Sequence, residues 1–423
     1  MKRTEYLQTD WGRRDRYRAR WLRRLWVTIR GVEPRSKKAM PIEDQLNLQQ
    51  QVLEALETRR RRSYRGPVVL QMRLATTDRT PAHVHTIAKN ILDLLGRPLL
   101  KLATSRKGLL YFDDVQVHAL SVSCEHGAEN PEIHIQVQSL GDFREDLGLA
   151  LHVLKQDGSK ESDNADVENE FDPIGDLLPD WGFLRAQIGD EAFETLLDIT
   201  RRDRQRRLLG HAKLRPRDLA YFFRASDLGY REHCIILDDF AKRWEDIFKM
   251  TPLRILIGEL PQIPGSSDDY RAEIDRLIRA FRSRHGRLLL PLRIPVALEV
   301  IIKPSPPTRN QALHDLDNVM RTYLIPKVTE LLEPPSDIAW TYDRSVIAQH
   351  DGDHGIWLRN RLEKLPRSAR IGLIRYEAWR IPRAPGDTSP GFVSAAVVTD
   401  DSGFEDSISR IARLLDQWAD RVN

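Results

Sequence analysis

Apolar residues recur at two periods along this chain, and the order in which the periods alternate is itself repeated. Leu25 to Ile29 reads as a strand, a basic proline-containing loop follows, and a helix is predicted from about Ile42 to Arg61. After Gly66-Pro67, the residues Val68, Leu70, Met72 and Leu74 are apolar at every second position. That is the pattern of a half-buried strand, and a helix over about Thr86 to Leu95 comes next. The second series runs in the same order. Arg254 to Leu260 reads as a strand, PQIPGSS as a loop, and Ile274, Leu277, Ile278 and Phe281 as the apolar face of a helix opened by Ser266 or Ser267. Val296, Leu298, Val300 and Ile302 then alternate like Val68 to Leu74, at an offset of 228, and HDLDNVMRTYLIPKVTELL follows.

Strand, loop, helix, strand, loop, helix, given twice, predicts an α/β (α+β) protein with two related domains, each a small mixed sheet with helices. The stretch between them opens as acidic QDGSKESDNADVENE and continues in helical patterns over Glu191 to Leu209 and Asp238 to Phe248. Ile408, Ile411, Leu415 and Trp418 mark a closing amphipathic helix. The predicted divisions are a basic arm at 1–24, a first domain at 25–150, an acidic linker and helical insert at 151–250, a second domain at 251–385, and a closing strand and helix at 386–423.

Composition narrows the class. With 423 residues, 41% hydrophobic and 30% charged, the chain is long enough for two to four domains and too apolar to be disordered. No stretch approaches the ~20 apolar residues of a membrane span, and the first residues hold no apolar run, so a cytoplasmic location is expected. Two cysteines, Cys124 and Cys234, make neither a disulfide framework nor a zinc quartet.

The net charge of +4 hides segregation. Residues 1–65 hold 18 Lys and Arg against 8 Asp and Glu, and arginine supplies 52 of the 66 basic residues of the chain. Guanidinium grips phosphate bidentately, so the excess fits a phosphate-rich partner; the codon bias of a GC-rich genome would give the same excess. Tyr17, Trp21 and Leu25 recur every fourth residue among Arg13, Arg14, Arg18, Arg20 and Arg24. Such a helix either lies along a phosphate backbone, together with Arg60 and Arg62, or docks its stripe on the body and leaves the arginines solvated.

Asp315 and Asp317 in HDLDN are the sharpest chemical feature. Side chains two apart in an extended segment share a face, so the two carboxylates converge just before a helix, where oxygen-only ligands suit Mg²⁺ or Mn²⁺. His314 and Asn318 flank them. The competing reading is helix capping, for which Asp and Asn are equally apt.

A strand, then Asp-Leu-Asp-Asn at a helix start, then a later Asp-x-x-Val, resembles the RusA-type Holliday-junction resolvases. The resemblance spans about residues 25–140 and 251–383. It implies three Mg²⁺-binding aspartates and a lysine one helical turn after the second. The first two match Asp315 and Asp317, and Asp343 in YDRSVIAQ matches the third, with Asp337 as its rival. The lysine position holds Arg321, which cannot exchange a proton and would serve as a fixed charge on the scissile phosphate. Pro326 should bend the helix a turn later.

In the first copy AHVHTIAKNILDLL aligns so that His83 and His85 replace the two aspartates, Lys89 falls on the lysine position, and Asp114 with Val117 repeats the Asp-x-x-Val spacing after Asp113. His83, His85 and Asp114 then form a degenerate site, kept for folding or DNA contact, or able to hold Zn²⁺, Mn²⁺ or Ni²⁺. Lys89 is assigned to phosphate. Cys124 and His126 are read as packing and edge residues.

The resemblance implies a Mg²⁺-dependent endonuclease of branched DNA, with the two halves of a family dimer fused in one chain. A further homodimer is compatible with it, and a membrane role is not indicated. The alternative is an inactive DNA-binding or regulatory protein of the same architecture.

Overall fold

The computed structural model describes residues 3–79, 83–156, 185–186, 189–223, 253–261, 267–289, 292, 294–306, 314–331, 372–383, 388–399 and 405–422. Eight strands form one mixed sheet: β1 (Leu25–Arg30), β2 (Val68–Thr76), β3 (Val117–His126), β4 (Glu132–Ser139), β5 (Arg254–Ile257), β6 (Pro295–Lys303), β7 (Gly372–Arg380) and β8 (Phe392–Val398). Their order is β1-β4-β2-β3-β7-β6-β8-β5. The second half of that order is the first half reversed, as a twofold axis between β3 and β7 requires.

Register confirms the axis. The parallel pair β2·β3 has an irregularity between Val68 and Val69, and the parallel pair β6·β7 has the same one between Val296 and Ala297. Beyond each irregularity, Val69 faces Ala119 and Ala297 faces Arg375. Two residues further along each strand, Ser121 and Glu377 face one another in the antiparallel β3·β7 pairing. The pseudo-dyad passes between them. The two predicted units are thus halves of one continuous sheet.

Helices cover both faces. They are α1 (Arg3–Tyr6), α2 (Asp10–Arg23), α3 (Ile42–Thr58), α4 (Val84–Gly96), α5 (Leu140–Gln156), α6 (Asp190–His211), α7 (Pro216–Phe222), α8 (Asp268–Leu289), α9 (Leu316–Val319), α10 (Ile325–Leu331) and α11 (Ser407–Arg421). Among the described residues no helix is long and apolar enough to cross a membrane. On one face, alternate residues Val68, Leu70, Met72, Leu74, Val296, Leu298, Val300 and Ile302 join a core with α3, α4, α8, α9 and α10. The opposite face packs Val69, Ala119, Ile301 and Trp379 against α5, α7 and α11, with Tyr17 of α2.

The alternation predicts half-burial, but β6 is covered on both sides, and so is β2 up to Met72. Of their intervening positions, Val69 and Ile301 join the apolar core of the opposite face, and Gln71 and Glu299 meet a buried polar network instead of water. Glu299 accepts the backbone N–H of Leu214 and pairs with Arg254, Gln71 donates to Asp406 and to Ser409 Oγ, and Glu377 accepts the Ser407 N–H.

Two predicted boundaries move. A cut at 150 would fall inside α5, and α6 and α7 of the supposed insert belong to the body. Phe223, just after α7, packs edge-on to Phe143 and Trp379 at 6.1 and 5.8 Å between ring centroids. The second unit does not stop at 385, since β8 and α11 complete it as β4 and α5 complete the first. The predicted helix at Asp238 to Phe248 lies outside the described residues.

Candidate functional site

Asp315 occupies the N-cap position of α9, yet its side chain makes no capping hydrogen bond. It accepts instead from Asn318 Nδ2 at 2.8 Å. Capping therefore does not account for this carboxylate. Asp317 lies in the first helical turn and is 4% exposed, so helix geometry, and not an extended segment, sets the relation between the two acids. After α9 the chain makes a π-helical turn, Met320–Leu324, before α10. Pro326 cannot donate a backbone hydrogen bond, and the distortion sits in the turn before it, around Arg321, whereas the sequence predicts a bend a turn later.

The acids meet partners from the first half of the chain. Ligand oxygens of Asp113, Asp114 and Asp315 all lie within 4.8 Å of one another. Lys89, on α4, reaches Asp114 Oδ2 at 2.8 Å and Asp317 Oδ2 at 3.2 Å, with Asp93 Oδ1 also at 3.2 Å. Asp113 caps the 3-10 turn Asp114–Gln116 by accepting from Val115 N–H, which leads the chain directly into β3 and holds Asp114 inward. Asp114, grouped above with His83 and His85, belongs instead with Asp315 and Lys89. Lys89, assigned to phosphate, is engaged by three carboxylates.

One further side chain ties the site together and was missed from sequence. Arg380, at the end of β7 and 2% exposed, donates from Nη1 to the Val115 carbonyl at 2.6 Å and from Nη2 to the His314 carbonyl. These carbonyls adjoin Asp114 and Asp315, so one guanidinium fixes both acid-bearing segments. Arg380 is one of three charged residues in LIRYEAWRI, with Arg375 and Glu377, and nothing local singles it out. His314 itself bonds the Pro261 carbonyl through Nε2 at 2.7 Å, which anchors the entry to α9.

The electrostatics follow from burial and crowding. Burial, then repulsion by Asp114 and Asp317, raises the Asp315 carboxyl to about 6. Burial also raises Asp317, against the pull of Lys89. Asp114 is opposed by burial but held low by its hydrogen bond from Lys89 and by that residue's charge. Burial works against the Lys89 ammonium, yet Asp317, Asp114 and Asp93 together raise it above its ordinary value, so it stays protonated. Besides Asp93, which Lys37 also pairs, the four carboxylates Asp113, Asp114, Asp315 and Asp317 thus stand around one ammonium and one guanidinium. Negative charge remains in excess.

Asp317 Oδ2 is buried and accepts no hydrogen bond, although Lys89 Nζ lies close by. Lys89 is thus the only cation beside that oxygen among the described residues, while oxygens of Asp113, Asp114 and Asp315 converge within 4.8 Å of one another, an oxygen set that suits a hard divalent cation. The residues present therefore fit Mg²⁺ or Mn²⁺.

Across the pseudo-dyad, His83 stands at the N-cap of α4, where α9 has Asp315. The rings of His83 and His85 stack at 5.5 Å between centroids, and burial, then His83 and Arg321, push His85 down to about 4. Asp343 and Asp337 lie outside the described residues. The strand matching β3 is β7, which begins at Gly372, and the register of Ala119 with Arg375 counts back from Asp114 to position 370, an arginine. Cys124 is buried in β3, in keeping with a packing role.

The basic arm is only partly free. Arg20 and Arg24 are 4% and 3% exposed and share Asp146 of α5 at 2.7 and 3.0 Å, so they fasten α2 to the body and do not face phosphate. Arg13 contacts His152 and Asp10, and Arg14 donates to the Val422 carbonyl and lies over Trp11. The stripe also divides: Tyr17 is buried, donating to Asp416 at 2.6 Å, while Trp21 is 42% exposed. Arg18, Arg60 and Arg62 are exposed. Comparison with known protein families, with curated proteins and with solved structures finds no match to this chain.

Proposed function

We propose that the chain is a divalent-metal-dependent endonuclease that hydrolyses phosphodiester bonds in branched or otherwise structured DNA. The observation that carries this reading is the meeting of Asp315 and Asp317 with Asp114 and Lys89 from the other half of the chain. The lysine that the resemblance to RusA-type resolvases asks for is missing at 321, but a lysine is present at the acids, supplied by α4. The same holds for the third acid, for which Asp114 takes the place first given to Asp343.

Asp113, Asp114 and Asp315 would hold the ion, with Asp317 joined to them through Lys89; the ion would supply Lewis acidity for phosphodiester hydrolysis when bound. Lys89 stays charged and acts as a fixed cation that orients Asp114 and Asp317 and offsets phosphate charge; it is no general base. Arg380 is a positioning residue. Exposed Arg18, Arg60 and Arg62 give backbone phosphates a route to the surface. One acidic site per chain implies a nick, with paired incision needing two chains.

The test is incubation of the purified chain with Mg²⁺ or Mn²⁺ and end-labelled four-way junctions, forks and flaps. Cleavage by wild type and none by Asp317→Asn supports the proposal; binding without cleavage by both overturns it. One observation favours an inactive DNA-binding protein: Lys89 already partly neutralises the acids, as in a structural ion-pair cluster. The excess of carboxylates over cations argues against that reading.

A further inference from the structure

We propose that the pseudo-twofold mate of the acidic site, formed by His83, His85 and Arg321, is a phosphate-binding subsite that holds a second DNA strand without cutting it. This rests on the nuclease reading and adds to it where the uncut strand is gripped.

The contrast between the two mates carries the inference. At two of three equivalent positions an acid faces an imidazole, Asp315 against His83 and Asp317 against His85, and at the third both mates keep a cation, Lys89 and Arg321. In the acidic mate the cation is enclosed by Asp93, Asp114 and Asp317. In the other, Arg321 is exposed and forms no ion pair among the described residues. The position matching Asp114 is Arg370 in sequence. One mate has surplus negative charge, and its neighbour has a guanidinium with no carboxylate paired to it among the described residues.

Two further facts select an anion over a metal. Arg321 acts directly on the imidazole of His85, so a cation bound to that ring would meet a like charge. His85 Nδ1 is buried and has no hydrogen-bond partner among the described residues, which leaves ring hydrogen-bonding capacity that they do not use. A phosphodiester carries one negative charge, accepts two parallel hydrogen bonds from guanidinium and accepts further ones from imidazole. Because Lys89, one turn beyond His85, touches Asp317, the two mates are adjacent, as two strands crossing at a junction would need.

The experiment is equilibrium binding of a fluorescein-labelled four-way junction in EDTA, over a series of salt concentrations, by wild type, Arg321→Gln, Arg321→Lys and Asp317→Asn. Arg321→Gln should weaken binding roughly five- to tenfold and lower the log–log salt slope by about one, Arg321→Lys should recover most of both, and Asp317→Asn should bind at least as tightly as wild type. Circular dichroism melts identify any variant that has lost its fold, and His83→Gln, at the N-cap, provides a second variant with the same expected loss of affinity. Unchanged affinity and slope in both variants, with wild type still binding, overturn the subsite alone. Stoichiometric Zn²⁺ or Ni²⁺ binding lost in His83→Gln overturns it in favour of a soft-metal site. Absence of any junction binding by wild type overturns the subsite and the nuclease reading together. Arg321-dependent binding with no cleavage in Mg²⁺ or Mn²⁺ supports the subsite and sinks only the nuclease reading.

Discussion

Lys89 Nζ lies 3.2 Å from Asp317 Oδ2, joining α4 of the first half to α9 of the second. The same ammonium lies 2.8 Å from Asp114 Oδ2. Replacing Lys89 by Met should leave two carboxylates facing each other without a cation between them. Stability in metal-free buffer should fall by about 3 kcal/mol, and junction cleavage by two orders of magnitude or more. Urea denaturation and single-turnover cleavage measure the two effects separately.

A site with surplus carboxylates should be stabilised by the ion it binds. Mg²⁺ or Mn²⁺ at about one hundred times its dissociation constant should add about 2.7 kcal/mol to the wild type. Asp114→Asn and Asp315→Asn should show little of this gain in thermal melts with and without metal. An equal gain in these variants would place the ion elsewhere.

Arg380 ties the carbonyls of Val115 and His314, next to two of the acids. Arg380→Met should keep the far-ultraviolet circular dichroism and leave DNA affinity within about twofold, while cleavage at saturating DNA drops about a hundredfold, the usual cost of misplacing reacting groups by an ångström. A change confined to affinity would remove its positioning role.

The arginines of the N-terminal segment should separate into two classes. Arg20 and Arg24 share the buried Asp146, so Asp146→Ala should destabilise the fold by about 3–5 kcal/mol by leaving two guanidinium groups unpaired. Arg60→Gln and Arg62→Gln lie on exposed positions and should change stability by no more than about 0.5 kcal/mol, while flattening the salt dependence of DNA binding.

His118 on β3 is pushed down to about 4, chiefly by burial and then by Arg380. An unfolded histidine titrates near 6.5, so the unfolded chain takes up the proton first as pH falls. The contribution of His118 is present above about pH 6.5 and is lost progressively toward pH 4, amounting to about 2 kcal/mol by pH 5. His85 is depressed to a like value and should add a similar acid loss. Denaturation midpoints at pH 7.5 and 5 should draw together in His118→Gln; an unaltered acid loss would assign it to other groups.

The period-two runs Val68 to Leu74 and Val296 to Ile302 were enough to place β2 and β6 and to show that the chain repeats, because side-chain alternation is a local property of an extended backbone. The same holds for α3, α4, α8 and α11, whose apolar stripes are written in consecutive turns. The two aspartates of HDLDN were legible for the same reason: they are neighbours in the chain and mark a helix start. Their remaining partners were not. Asp114, Lys89 and Arg380 reach Asp315 and Asp317 only because β3 pairs with β7 across the pseudo-dyad, and a pairing between strands some 250 residues apart leaves no local trace. Spacing within one half points to Asp343 and Arg321, whereas the acid and the lysine found beside Asp315 and Asp317 among the described residues come from the other half. Nor could sequence separate Arg20 and Arg24 from Arg18, since all three are charged residues on or just after one helix. Which of them face a buried aspartate and which face solvent is decided by how α2 packs on α5.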